Sequence, residues 1–588
     1  VYEKKRDANS VATQSAEESA ILHQLGKREK ISRQQGATDP YFSFSCSTDN
    51  LQSLQRVVQR FELSTNRTPM IKTKGDLPSL GYGDGDDAVQ KYRSPVIGLI
   101  DHGIAYLNQS FCLQASESSP RKIIPVEVSG EIPARRSRIF SFWDQSMQPS
   151  ASEGHWRPPP NGFEYGAQLS REAIQVSINQ VSSGRSTEAR EYRRHGYAPV
   201  ARRRSHGTHV LDMLAGNPNP VARLGIGAQG DKASFVPIIA VQLPYKPSKD
   251  TSGGGLAGNI LDAIRYIKLV ARGLEPGSAR LCPLVINISD GAAAGSHRGT
   301  SILESAIDEL FKSQELDSRF DAIVIAAGNG YDDATHIEDR VAAGDSRKAF
   351  FRVYPADATE TFLEIWFHEA VDGVCIELTS PDGCTLTSDV DEFMVAANSD
   401  QTDAVGFMVA GPLRDTPQAG NSSRMMGLVC IAQTSRQTVK GKIANAPSGV
   451  WSISVINKNN AGQEVPFSAW IERDEIAYGD AGERRQAIFI GRTSNEKKLD
   501  RQDTLNSIAT GKAPIVVGGH RLSDRKLARY SAAGTVVSGR HWPGKRIAPT
   551  LTGVSEESMA YPGIRLASSH SGDSVRVTGT SIAAPFVA

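Results

Sequence analysis

Cysteine is scarce in this sequence. The 588 residues hold six, Cys46, Cys112, Cys282, Cys375, Cys384 and Cys430. None forms a CxxC pair or shows metal-ligand spacing, so there is no sequence case for a cysteine metal site or a dithiol redox centre. Only Cys375 and Cys384 are close, and a hairpin turning at Asp382-Gly383 sets Cys384 opposite Pro381 rather than Cys375. The cysteines read as mostly reduced, which leans towards a cytosolic setting. An excess of one charge is also lacking. Lys plus Arg number 66 against 65 Asp plus Glu, a net of +1, which argues against nucleic acid or an anionic membrane as partner. No apolar run approaches the roughly 18 to 20 residues needed to cross a bilayer. No secretory leader follows Val1. The sequence reads as an excerpt, so localisation stays open.

What is present is the composition of a globular protein, 39% hydrophobic and 22% charged, with length for two or three domains. Residues 1–90 are polar, apart from LQSLQRVVQRFEL from Leu51, which has the spacing of one amphipathic helix, and the linker-like LGYGDGDD from Leu80. Residues 91–344 change character. SPVIGLIDHGI, ASFVPIIAVQL, PLVINIS and DAIVIAAGNG are continuous apolar runs of strand type. LAGNILDAIRYIKLVARGL and TSILESAIDELFKSQ between them have apolar residues at helical spacing. Buried strands alternating with amphipathic helices predict an α/β domain with a parallel sheet covered on both faces. Residues 345–475 carry only short β-rich runs between turn signals such as SPDGC and NAPSG, the pattern of an antiparallel β-sandwich. Strand–helix character returns over 476–588. The expected architecture is a parallel α/β sheet interrupted by an inserted sandwich.

Four polar residues stand at the ends of these elements. Asp101 closes an apolar strand, at the edge where open α/β sheets bind ligands. His206 opens the helix HVLDMLAG, Asn329 follows another buried strand, and Ser581 stands at a loop-to-helix junction. There its own amide lacks an intrahelical partner and the helix dipole favours negative charge. A serine hydroxyl needs a base to become a nucleophile. Histidine can take that proton and return it, a carboxylate can hold the imidazole, and Asn329 with the Ser581 amide can receive an oxyanion.

The order Asp, His, Asn, Ser in IDHG, HGTHV, AAGN and GTSIAAP resembles the subtilisin-like serine proteases. The likeness covers about residues 94–340 and 476–588. It implies a serine endopeptidase acting on protein or peptide, with Asp101, His206 and Ser581 as catalytic triad and Asn329 in the oxyanion hole. His206, not His209, carries the base role, and the chemistry requires no metal. The resemblance also places an extended substrate between Gly253-Gly254-Gly255 and Ser289-Asp290-Gly291. Asp290 there either favours a basic substrate side chain or faces solvent or caps a turn. NPNPVARLG has the offset of a family calcium loop, with Asn219 as side-chain ligand. Its prolines and Arg223 depart from that loop, and an ordinary connecting loop is the other reading. In LTSPDGCTL and SGVWSISVIN the inserted sandwich resembles the jelly-roll domains of proprotein convertases. Its placement resembles the layout of some clostridial germination subtilases, which carry a jelly roll within the catalytic domain. It either docks a partner or stabilises the catalytic domain.

Three departures stand out. Asp101 and His206 are 105 residues apart, far more than in compact members, and the gap from Asn329 to Ser581 is longer still. Arg193, Arg194, Arg202, Arg203 and Arg204 precede His206, either as a rim for acidic substrates, as a self-cleavage loop, or as a solvated insertion. His102 replaces the usual small or acidic residue after the aspartate and is expected to bear on pH dependence. The alternatives to a general endopeptidase are a catalytically silent scaffold that binds a peptide or protein, and a protease restricted to self-cleavage. The helix after Ser581 is expected to run on past Ala588. Substrate identity and oligomeric state are not legible.

Overall fold

The computed structural model describes residues 95–588 apart from 115–134, 150–154, 218–235, 245–255, 274–282, 313–320, 369–371, 398–403, 415–424, 436–437, 440–441, 444–445, 460–461, 475–484, 492–499, 535–547 and single positions at 391, 463 and 561. Before residue 95 it describes four short strands, Tyr2–Glu3, Ile31–Ser32, Tyr41–Phe44 and Arg60–Phe61, which form one small sheet. The helix expected from Leu51 and the linker from Leu80 lie outside the described residues, except that Arg60 and Phe61 are in a strand.

Eight strands form the main sheet: β1 Val96–Asp101, β2 Ile139–Asp144, β3 Ala167–Ser170, β4 Ile238–Gln242, β5 Leu284–Ile288, β6 Ala322–Ala326, β7 Ile515–Arg521 and β8 Leu551–Glu556. Their spatial order is β8-β7-β6-β5-β1-β4-β2-β3. Every pairing is parallel except that of the edge strand β3 with β2. Continuous apolar runs form these strands because both faces are covered. On β1, Val96 and Ile100 join one core, beneath the helices α4 Ala257–Gly273 and α5 Ile302–Leu310. Ile97 and Leu99 face the opposite core, with Val210, Leu211 and Leu214 of α3 His206–Ala215. The last helix, α6 Thr580–Val587, seats Ala583 and Ala584 against Val324, Ala326 and Val517. Small side chains in GTSIAAP are what let its backbone approach the sheet.

The long Asp–His gap adds to this sheet rather than looping away from it. RSRIFSFWDQ supplies β2, and two further helices follow, α1 Arg171–Ser182 and α2 Glu188–Arg194. Tyr106, Phe142, Trp156, Tyr192 and Tyr197 pack there around the buried ring of His195. The burial of that ring holds His195 down at about 4. Its two nitrogens face Tyr106 Oη at 2.8 Å and Ser177 Oγ at 3.2 Å.

The inserted sandwich is present. One sheet has six antiparallel strands, in the order His336–Val341, Val465–Ile471, Thr361–Phe367, Met425–Ile431, Ala404–Arg414, Phe393–Ala397. The other has five, Thr385–Ser388, Val374–Thr379, Gly449–Asn457, Ser346–Val353, Ile488–Gly491. Phe351, Leu363, Ile365, Ile376, Val429 and Trp451 are among the residues that fill the space between them. The sheets start before residue 345 and end after 475, because His336–Val341 pairs with Val465–Ile471 and Ile488–Gly491 pairs with Ser346–Val353. Cys375 and Cys384 are both free thiols. The register places Thr385 opposite Thr379, so Cys384 faces Ser380, one residue away from the expected Pro381. No helix among the described residues is long and apolar enough to cross a membrane.

Candidate functional site

β1, β5 and β6 are neighbours in a parallel sheet, so their carboxyl ends open on one edge. Asp101 ends β1, Ser289 and Asp290 follow β5, and Asn329 lies just past β6. His206 opens α3 above that edge.

Asp101 is fully buried. Its Oδ1 accepts from His206 Nδ1 at 2.7 Å and from the His102 amide at 2.6 Å. Its Oδ2 accepts no hydrogen bond from a described residue. The residues of HGTHV explain how His206 is held there. The Gly207 amide donates to the His102 carbonyl at 2.6 Å, and the Thr208 amide and hydroxyl donate to the Gly103 carbonyl at 2.9 and 2.8 Å. A Cβ on Gly207 would meet Ile104 Cγ1 at 2.7 Å, the His102 carbonyl oxygen at 2.8 Å and Asp101 Cβ at 3.1 Å. Only glycine lets the helix sit this low on the loop after β1. His209 is in a different situation. Its ring is buried between the Ala567 carbonyl at 2.7 Å and the Ser205 amide at 3.2 Å, and burial holds it down at about 4.

The serine end is tied to the asparagine. The Thr580 amide and hydroxyl donate to Asn329 Oδ1 at 2.9 and 3.1 Å, while the Thr580 hydroxyl accepts from the Gly328 amide at 3.0 Å. With its oxygen thus occupied, Asn329 turns its amide nitrogen away from Thr580. Gly579 has φ +133°, and a Cβ there would lie 3.4 Å from Asn329 Nδ2. Its amide donates to Tyr530 Oη at 2.9 Å. Ser581 is the second residue of α6, where a backbone amide has no intrahelical acceptor. Its hydroxyl donates to the Ser289 carbonyl at 3.1 Å, and the Ser289 hydroxyl donates to the Ser581 carbonyl at 3.0 Å. Helices α3 and α6 pack against each other, which brings the histidine and serine segments side by side.

Of the residues expected to line a substrate, Ser289, Asp290 and Gly291 are at this edge, and Gly253-Gly254-Gly255 lie outside the described residues. Asp290 does not face solvent. Its carboxylate accepts from the Gly291 amide at 2.8 Å and pairs with His102 Nε2 at 2.8 Å and Arg473 Nη2 at 3.4 Å. Burial opposes its charge, but the His102 hydrogen bond and the two cations outweigh that and hold the carboxyl far below the usual range. Burial likewise opposes the charge on His102, and the bond and charge of Asp290, with Asp101, hold its ring above the usual histidine value.

Three of the five arginines ahead of His206 make side-chain bonds within the fold. Arg203 is bidentate to Asp573 at 2.6 and 2.8 Å, Arg194 binds Glu191 at 2.6 Å, and Arg193 Nε reaches the Ala189 carbonyl at 3.2 Å. Arg202 and Arg204 are exposed. Asn219 and its loop lie outside the described residues. Among the described residues, no group of three or more His, Cys, Asp or Glu could hold a metal ion. Sequence reasoning missed Tyr530 and Arg473, which reach the site from elements remote in the chain.

No family model matches this chain, and no curated protein matches its sequence. Among solved structures it is similar to the Clostridium perfringens CspB protease. The identity is 19% and the TM-score 0.56, over 84% of this chain and 80% of that one. A Bacillus licheniformis lipase, BlEst2 in its propeptide form, aligns at 10% identity and a TM-score of 0.16, over 40% of this chain and 66% of that one. Only the first is close enough to compare folds. The chain has a subtilisin-like α/β fold with an inserted β-sandwich.

Proposed function

We propose that this chain is a serine endopeptidase that cleaves protein or peptide substrates through an acyl-enzyme. One observation carries the reading. Asp101 and His206 form a 2.7 Å pair at the same sheet edge where Thr580 locks Asn329 beside Ser581. The similarity to a protease fold fits it.

On this reading an extended substrate lies along Ser289-Asp290-Gly291, with Gly253-Gly254-Gly255 on its other side. The Ser581 hydroxyl leaves the Ser289 carbonyl, gives its proton to His206 Nε2 and attacks the scissile carbonyl carbon. Asp101 keeps the Nδ1 proton on the imidazole and balances the imidazolium. The oxyanion is received by Asn329 Nδ2 and the Ser581 amide. His206 then protonates the leaving amine, and water, activated by the same imidazole, hydrolyses the ester.

A second reading is a silent scaffold that binds a peptide or protein in the same groove. It draws on the Ser581 hydroxyl being engaged with Ser289. A fluorophosphonate probe separates the two. The folded chain should be labelled, and Ser581→Ala and His206→Ala should abolish the label. A folded wild type that takes no label overturns the endopeptidase reading.

A further inference from the structure

The last strand of the sandwich's six-stranded sheet to leave in sequence, Val465–Ile471, runs on into Glu472-Arg473-Asp474, and this segment returns to the loop after β5. Trp470 begins the docking. Its ring stacks between His297, at 4.3 Å and 5°, and His336, at 4.7 Å and 17°, while its Nε1 donates to the Asp503 carbonyl at 2.8 Å. Glu472 is buried, and its two carboxylate oxygens accept from the Ala293 and Ala294 amides at 2.6 and 2.7 Å. Arg473 therefore arrives on a fixed backbone, and its guanidinium meets Asp290 at 3.4 Å.

Asp290 passes the contact on. Its other oxygen pairs with His102 Nε2 at 2.8 Å, and the His102 amide donates to Asp101 Oδ1 at 2.6 Å. The backbone of Asp290 is pinned as well, because Asn506 Nδ2 donates to its carbonyl at 2.9 Å. One unbroken line thus runs from the inserted sandwich, through the candidate cleft wall, to the carboxylate that holds His206. Asp290 is shared between two cations, so its position depends on both.

We propose that Arg473 of the inserted sandwich is a positioning residue for the candidate active site, acting through Asp290 and His102 on the Asp101–His206 pair. This inference rests on the endopeptidase reading for its role in catalysis, but the line of contacts can be tested without it. Arg473 competes with His102 for the Asp290 carboxylate. Without Arg473, the whole negative charge falls to His102, whose charged form is then more stable. Among the described residues, the charged or titratable groups facing His102 are Asp101 from β1, Asp144 from the end of β2, His206 from α3 and Asp290 after β5. The change in charge at His102 and Asp290 reaches the Asp101–His206 pair through the contacts above, so the acid limb of reactivity shifts with it. A cleft wall released from Arg473 weakens substrate engagement, which raises KM more than it lowers kcat.

The experiment is a titration of the His102 ring by nitrogen-detected NMR on histidine-labelled protein, with the signal assigned by loss in His102→Asn. Arg473→Met should raise the His102 midpoint by roughly half a pH unit or more, and Arg473→Lys should leave it near wild type. Asp290→Asn should lower the midpoint, and adding Arg473→Met to Asp290→Asn should change nothing further. Fluorophosphonate labelling across pH on the same proteins should show the acid limb shifted in Arg473→Met and restored in Arg473→Lys. An unchanged His102 midpoint in Arg473→Met overturns the proposal. So does an equal effect of Arg473→Met with and without Asp290→Asn. A wild type that takes no label overturns the endopeptidase reading alone, since the NMR titrations still decide whether Arg473 acts on His102.

Discussion

Ser289 and Ser581 exchange hydrogen bonds, each hydroxyl donating to the other's backbone carbonyl, at 3.0 and 3.1 Å. Pro585 gives the first of these its reason. Four residues after Ser581 in α6, it has no amide to offer the Ser581 carbonyl. The Ser289 hydroxyl fills that place, so the proline of GTSIAAP and the serine after β5 are complementary. Ser289→Ala should cost about 1 kcal/mol through the carbonyl it leaves unpaired, read as a lower urea midpoint. Labelling should change less than about threefold, because the acceptor of the Ser581 hydroxyl is main chain and survives. Unchanged stability with a large fall in labelling would place the Ser289 hydroxyl in the chemistry instead.

Thr580 sets the orientation of Asn329 through its amide and its hydroxyl. Thr580→Val keeps the shape and the amide bond, loses the hydroxyl, and leaves the Gly328 amide without its acceptor. Labelling should fall on the order of tenfold as Asn329 loosens. Thr580→Ser should stay near wild type. Loss in Thr580→Ser with Thr580→Val near wild type would mean that the methyl group matters rather than the hydroxyl.

Gly207 admits no side chain, since its Cβ would press on the His102 carbonyl and on Asp101 itself. Gly207→Ala should lift the start of α3, lengthen the Asp101–His206 contact and cut labelling on the order of a hundredfold. The accompanying destabilisation should be about 1–3 kcal/mol. A crystal structure of the variant with the 2.7 Å pair intact would sink this explanation.

Much of the fold could be read in advance, for a physical reason. Strands buried on both faces must be continuously apolar, and VIGLID, LVINI and AIVIA have no other use for that pattern. The four candidate groups stand out in the sequence because Asp101 and Asn329 follow such runs and His206 and Ser581 stand at helix starts. Partners brought together through space were not. Tyr530 lies 49 residues before the Gly579 amide it receives, and Arg473 lies 183 residues from Asp290. No period or motif announces either contact. RSRIFSFWDQ was hidden for a different reason, since as β2 it joins the sheet from within what looked like an insertion. The two readings left open for Asp290 turned on groups that only the folded chain supplies, and it both caps a turn at Gly291 and neutralises His102 and Arg473.

His209 gives a pH test that leaves the site's own groups alone. Burial, with His206 and Arg204 nearby, outweighs the bond to Ala567 and holds the ring at about 4 when folded, against about 6.5 unfolded. Between those values the unfolded chain binds the proton and the folded chain does not. The neutral ring therefore contributes stability that is fully present above about 6.5 and is lost as pH falls towards about 4. From pH 7.5 to 5 that loss is about 2 kcal/mol. Asp144, raised to about 6 by burial, works in the opposite sense, since it loses stability as pH rises, so the wild-type curve alone does not isolate His209. The difference between wild type and His209→Asn does. Asparagine can keep a donor on the Ala567 carbonyl but cannot titrate. The stability gap between the two, from urea unfolding at each pH, should narrow steadily on acidification. A gap that stays constant from pH 7.5 to 5 would mean that the folded ring takes up its proton as readily as the unfolded one.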